Sequence, residues 1–377
     1  MKKKWIGTIV VSVAIMSGAE TTNTWGGGSR NLGDPANWNG GVAPTFTDWS
    51  ANLVFGADAG DYVLEPKNAG GTAFTASILS MRFTDQAAGT YIWSGGTLRM
   101  SGLDAIVNDS TKHVRFVAHT ADLLWNATYG SALHVRANNS NIRFETYGNG
   151  VRIGTDNVHF HAGAGKEINV VEKSGSFLTA INADRLLTFH GDGTGGTLAM
   201  NGGVSEANGY ALDLSVTDAG VALLSMSDGQ FRNVTLQSGT LDYDGDDMIS
   251  GNLTFDAGIN TVSFNGNNDT LGTLGITGGD NVLDFGSAAS DVIFDDSSSL
   301  IWTSGLVITN FNAEIASIRF GVDVNGLTED QLAQITVNGM AGASLDPSGF
   351  LTIPEPATIS LIVVSGFGIF MVRRTLH

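Results

Sequence analysis

Leu133-His134-Val135-Arg136, Ile142-Arg143-Phe144-Glu145, Val151-Arg152-Ile153, Val158-His159-Phe160-His161 and Ile168-Asn169-Val170 follow one another along the middle of the chain. Their first apolar residues fall at 133, 142, 151, 158 and 168, and within each the apolar and polar residues alternate. Successive side chains of a strand point to opposite faces, so every one of these segments has an apolar side and a polar side. Short strands about every ten residues, broken by Gly and Asn, suit stacked coils of two or three strands each. The expected fold is therefore all-β, a right-handed parallel β-helix over residues 62–299. A β-sandwich is the alternative, because hairpins give a similar spacing.

Outward from that stretch the pattern persists. Gly95-Gly96-Thr97-Leu98-Arg99-Met100 returns as Gly195-Gly196-Thr197-Leu198-Ala199-Met200 and loosely as Ser238-Gly239-Thr240-Leu241-Asp242-Tyr243. Asn252-Leu253-Thr254-Phe255, Thr261-Val262-Ser263-Phe264 and Asn281-Val282-Leu283-Asp284-Phe285 continue it. Fifty glycines and a charged fraction of only 15% fit many tight corners, where Gly and Asn tolerate left-handed backbone. With no cysteine, disulfides and thiolate chemistry are excluded.

Residues 20–61 open the body with Trp25, Asn37-Trp38, Gly40-Gly41, Pro44 and Trp49. Bulky side chains would cover the first open end of a stack. Alternatively, Trp25, Trp38 and Trp49 could stack on sugar rings. Residues 300–352 read as a small C-terminal capping module. Within it Thr328-Glu329-Asp330-Gln331 is a capping box that starts one short helix.

The two ends carry different signals. Lys2-Lys3-Lys4, an apolar run from Trp5 to Met16 and Ser17-Gly18-Ala19 form an export signal over residues 1–19, with cleavage expected between Ala19 and Glu20. At the other end Pro354-Glu355-Pro356 precedes a charge-free run, Ile359 to Val372, and then Arg373-Arg374. Fourteen helical residues rise about 21 Å, short of the roughly 30 Å hydrocarbon core, so this transmembrane segment is a marginal anchor. The motif, the span and the basic pair occur in the order of the PEP-CTERM sorting tail of Gram-negative bacteria, which residues 353–377 resemble. That resemblance implies recognition by an exosortase-type membrane processing enzyme, transient anchoring in the inner membrane, and delivery to the cell envelope or extracellular matrix. It also implies association with exopolysaccharide. The tryptophan-rich opening is similar to exported bacterial proteins with autotransporter-type β-strand repeats.

Charge narrows the partners further. The net charge is −18; without Lys2, Lys3, Lys4, Arg373 and Arg374 it is 14 basic against 37 acidic residues. Nucleic acid is excluded as a partner, and extracellular polysaccharide fits better. Residues 112–173 hold 7 basic and 5 acidic residues and five of the seven histidines, whereas 174–350 hold 3 and 22. By the alternation, His134, Arg136, Arg143, Arg152, His159 and His161 all project away from the core. Stacked coils could align several of them as a basic ladder for acidic glycan, which would make the protein an adhesin through Arg136, Arg143 and Arg152.

Other chemistry finds less support. His159-x-His161 offers half a metal site, but no third ligand stands at a fixed spacing, so no metal is expected. Asp242-x-Asp244-Gly245-Asp246-Asp247 has Asp247 and Leu253 where a calcium loop needs Gly and Glu, which leaves only weak surface Ca2+. Gly245-Asp246-Asp247 is similar to the paired aspartates of polygalacturonases, and Phe189-His190-Gly191 loosely to their histidine motif, but in reversed order. A divergent β-helix lyase or hydrolase is thus the third reading. The first is a non-enzymatic structural protein with no catalytic residues and no cofactor.

Overall fold

A computed structural model describes residues 21–353 except 27–29, 48–49, 57–61, 69, 85–90, 95–97, 101, 103, 119–122, 126–132, 147–150, 154–156, 173–175, 181–182, 194, 202, 206–209 and 227–229. The segments with alternating apolar residues are strands: Leu133–Ala137, Ile142–Thr146, Val151–Ile153, Val158–Ala162 and Glu167–Glu172. Leu133, Val135 and Ala137 are buried and His134 and Arg136 half-buried, the inward–outward alternation that a coil wall requires.

Three strands make one coil, and each pairs with its counterpart in the coils before and after. Leu133 lies beside Val158, Ile142 beside Ile168 and Val151 beside Leu178, all in parallel register. The result is a parallel β-solenoid of about nine turns. At about 4.8 Å per turn the stack is roughly 43 Å long. Hairpins would have given antiparallel neighbours, so the sandwich alternative is excluded. Among the described residues, antiparallel pairing between strands occurs only at the C-terminal end, where Ile335–Val337 meets Met340–Ala341 and Ser344–Leu345 meets Leu351–Thr352.

The coils change size along the stack. Residues hydrogen-bonded across one turn are 28 apart at Ser80 and Asn52 and 29 apart at Leu186 and Asn157, but only 19 apart at Asn252 and Asn233. The shorter turns begin where Leu212–Leu224 and Val234–Tyr243 run across the corner between the first two sheets and fuse them.

Inside, like side chains stack on like. Tyr243, Phe264, Phe285 and Phe311 form one column with ring centroids 5.1, 5.3 and 5.1 Å apart. Corners are held by buried asparagines in place of backbone partners. Asn260 Nδ2 donates to Asn281 Oδ1 at 3.0 Å, and Asn281 Nδ2 donates to Gly305 O at 3.1 Å. Beside them Ser238, Gly258 and Gly279 take left-handed backbone, with φ of 86, 73 and 81°. A Cβ on Gly279 would sit 2.4 Å from Gly258 O, so the corner demands glycine there.

Three expectations need correction. The Gly-Thr-Leu repeat is not one structural repeat: Thr197 pairs with Val221 and Val221 with Thr240, whereas Leu98–Met100 lies in the third sheet, against Ala76–Ile78 and Leu123–Trp125. Composition alone cannot say which face a Gly-Thr-Leu segment occupies. Nor do the ladders break at residue 299. Leu306–Thr309, Ser317–Phe320 and Ile335–Val337 extend them in parallel, because their alternation is the same as in earlier coils. Finally, Trp25 and Trp38 are core residues, 2% and 3% exposed, their rings packed edge to face at 5.1 Å, so neither offers a face to a sugar. Trp38 Nε1 donates to Leu32 O at 2.7 Å, which fixes it over the first coil. Trp49 lies outside the described residues.

The short helix forms where the capping box placed it, Glu329–Ala333. Thr328 Oγ1 accepts from Gln331 N at 3.2 Å, and Thr328 N donates back to Gln331 Oε1 at 2.7 Å. Among the described residues no helix is long and apolar enough to cross a membrane. The signal segment with Ala19 and Glu20, and the tail with Pro354, Glu355, Pro356, Arg373 and Arg374, lie outside them.

Candidate functional site

The outward residues of the basic stretch are split among the three faces of the coil. His134, Arg136, His159 and His161 share the first sheet, Arg143 stands on the second, and Arg152 belongs to a third-sheet strand that pairs with Leu123–Trp125 and Ser176–Ala180. A coil turns at each corner, so strands nine residues apart face different directions. The single ladder expected from the sequence is therefore split among three sheets, and Arg136 and Arg143 stand on different faces.

On the second face Arg115 and Arg143 stack in register and both donate to Glu145, which is almost fully buried. Burial would raise the Glu145 carboxyl, but the hydrogen bonds from the two guanidinium groups outweigh it and hold it below the ordinary value. One buried carboxylate thus ties down two arginines, and the cluster keeps a net charge of +1 on this face. Glu145→Gln is expected to cost about 1–2 kcal/mol, the modest figure reflecting arginines that are two-fifths exposed. Because the folded carboxyl is depressed, its contribution exists above pH about 4.5 and fades as pH falls through the folded value. Urea unfolding at pH 7 and pH 3 should show the gap between variant and wild type closing at the acid end.

The first face carries something the sequence reading missed. His134 is beside His159, and Arg136 is followed in the next two coils by His161 and His190. Two outward columns therefore hold four imidazoles over three coils. They join on the diagonals: His134 Nδ1 is 2.8 Å from His161 Nε2, and His159 Nδ1 is 2.9 Å from His190 Nε2. The rings lie nearly parallel, the tightest pair being His161 and His190 at 4.2 Å and 8°. Carboxylates close the outer edge. His190 Nδ1 is 2.8 Å from Asp218 Oδ2, and His161 Nδ1 is 3.7 Å from Asp192 Oδ1. Both aspartates sit at left-handed corners, with φ of 56 and 49°, which turn them back over the strand ends.

Burial, then the neighbouring cations, lowers the affinity of this group for protons. His159 is brought down to about 4 and His161 to about 3, and His134 is lowered too, by burial first and then by Arg136. Arg136 Nη2 is 3.3 Å from His134 Nδ1, while its Nε donates to Asp104 Oδ1 at 2.8 Å. His159 and His161 are thus uncharged at neutral pH, able to share hydrogens along the diagonals or to offer lone pairs to a metal.

The signal for it was present. Leu133-His134-Val135-Arg136, Val158-His159-Phe160-His161 and Leu187-Thr188-Phe189-His190 are one pattern in three coils, readable once the coil length is known. His190 was instead grouped with Asp246 and Asp247. Those residues serve a corner: Asp246 Oδ1 accepts from Asn268 N at 2.6 Å, and Asp247 N donates to Asn268 O at 2.8 Å with φ of 52°. Among the described residues, three His, Asp or Glu ligand atoms converge only at His134, His159 and His161.

No family model, no curated protein and no solved structure matches this chain.

Proposed function

We propose that this is a non-enzymatic, exported structural protein of the cell surface or extracellular matrix, associated with exopolysaccharide and sorted by an exosortase-type system through Pro354-Glu355-Pro356 and Arg373-Arg374. The observation that carries the structural part is the continuity of the stack. Among the described residues about nine turns pair in parallel, and Arg115 and Arg143 on the second face are tied to an internal partner, Glu145. Such a body is a stiff spacer whose outer faces offer many weak polar contacts to glycan. The handedness of the coil is right-handed in this reading, as parallel crossovers overwhelmingly are. Burial of Trp25 and Trp38 supports the structural role over a glycan-binding adhesin.

Intact mass and terminal peptides of the protein recovered from its host's envelope and medium test the sorting part. The expected chain starts near Glu20 and ends near Pro354–Ala357. A chain that still ends at His377 and fractionates with membrane would make the tail a plain anchor and remove the main support for a matrix role.

A further inference from the structure

We infer that His134, His159 and His161, with His190 beside them, bind one borderline divalent metal ion, Zn2+ or Cu2+, which staples successive coils of the solenoid. The inference goes beyond the structural role proposed above and does not depend on where the protein is sorted.

One ligand nitrogen from each of the three histidines lies within 4.8 Å of the others. A tetrahedral ion with metal–nitrogen bonds of about 2.0–2.1 Å needs its ligand nitrogens about 3.3 Å apart. The His134–His161 contact of 2.8 Å therefore has to open by only about half an ångström, a side-chain rotation that leaves the strands in place. His161 is buried while His134 and His159 are half-exposed, so the inner ligand is held rigidly and the outer two leave an entry path.

Donor chemistry selects the ion. Imidazole without thiolate suits Zn2+ and Cu2+, whereas Ca2+ and Mg2+ take oxygen ligands. A ligating neutral imidazole binds through one ring nitrogen and keeps its hydrogen on the other, so the hydrogen now shared on each diagonal moves to the outer ring nitrogen. Those outer nitrogens have acceptors waiting, Asp192 for His161 and Asp218 for His190. A carboxylate that orients a ligating histidine is the usual outer layer of a zinc site. Arg136 is an adverse charge, and Asp104 offsets it. The two carboxylates then balance the incoming 2+ charge. His134 comes from one coil and His159 and His161 from the next, so an ion here ties two turns together, with His190 of the following coil stacked beside them.

The test is titration of the metal-stripped, full-length chain with ZnCl2 and CuCl2 by calorimetry, with CaCl2 as the contrast. One ion per chain is expected, together with a rise of the thermal midpoint. His159→Thr with His161→Thr should weaken binding at least about a hundredfold; threonine already fills the same columns at Thr188 and Thr217, so the coil tolerates it. Asp192→Asn should weaken it about tenfold. Absence of saturable uptake, an affinity unchanged in the double variant, or equal affinity for Ca2+ overturns the site. Should the double variant not fold, the ring 15N resonances of the wild type decide. Shifts at His134, His159 and His161 on Zn2+ addition with His113 unmoved support it, and unshifted resonances overturn it.

Discussion

Phe264→Ala is expected to destabilise the protein by about 3–5 kcal/mol, the range for removing a buried phenylalanine ring. Phe264 is fully buried, with Tyr243 5.1 Å from it on one side and Phe285 5.3 Å on the other. Neither neighbour can collapse into the gap. Each is anchored by its own strand ladder, and the strand spacing is fixed by backbone hydrogen bonds on both sides. The cavity therefore stays open, and the cost falls at the upper part of the range. A solenoid coil contacts mainly its two neighbours, so the defect is local in structure but not in consequence. It weakens the links among the short coils that follow Leu212–Leu224. Unfolding in urea should show a lower midpoint and a broadened or split transition, with protease cutting first near residues 244–252. A loss below about 1 kcal/mol, with one sharp transition, would mean that the column repacks and that stacked aromatics are not what registers the coils.

The same geometry explains what was and was not legible in the sequence. Period-2 alternation at Leu133–Arg136 or Val158–His161 is a local property, so strands, inward residues and the all-β class could be read directly. Parallel stacking followed from the spacing of Gly and Asn corners, whose asparagines replace backbone partners, as Asn260 and Asn281 show. The face on which a strand lies depends on the number of residues between corners, and that number drifts along the chain. His134 and Arg143 look equivalent nine residues apart, yet they belong to different walls. His190 looks remote from His134, yet it lies two coils along on the same wall. Local chemistry could be read, but juxtaposition required the coil length. Trp25 and Trp38 illustrate the converse. Tryptophan near Gly and Asn serves equally as a sugar platform or an end plug, and only the observed edge-to-face pairing decides between them.

Asp269 sets the second large effect. It is buried at 1% exposure, its Oδ2 accepts from Tyr243 Oη–H at 2.7 Å and from Ile249 N at 3.3 Å, and its Oδ1 is sealed from solvent without a hydrogen-bond partner. Burial pushes the carboxyl up to about 7, and the nearby Asp247 adds to the rise, although the bonds from Tyr243 and Ile249 act against it. The unfolded chain gives up this proton near pH 3.8, while the folded one keeps it until about 7. Stability from this group is therefore complete below pH about 4, declines between about 4 and 7, and is gone above about 7. The drop amounts to about 4 kcal/mol over the whole window and about 2–3 kcal/mol between pH 5 and pH 8. Asp269→Asn keeps an oxygen for the tyrosine hydroxyl and cannot ionise, so its stability should not carry this decline. The measurement is the difference between wild type and variant in urea unfolding at pH 5 and pH 8, in which the titration of the many surface aspartates cancels. The variant should gain on the wild type by about 2–3 kcal/mol from the lower pH to the higher. Parallel pH profiles would show that Asp269 stays ionised in the fold, which requires a buried counter-charge near Oδ1.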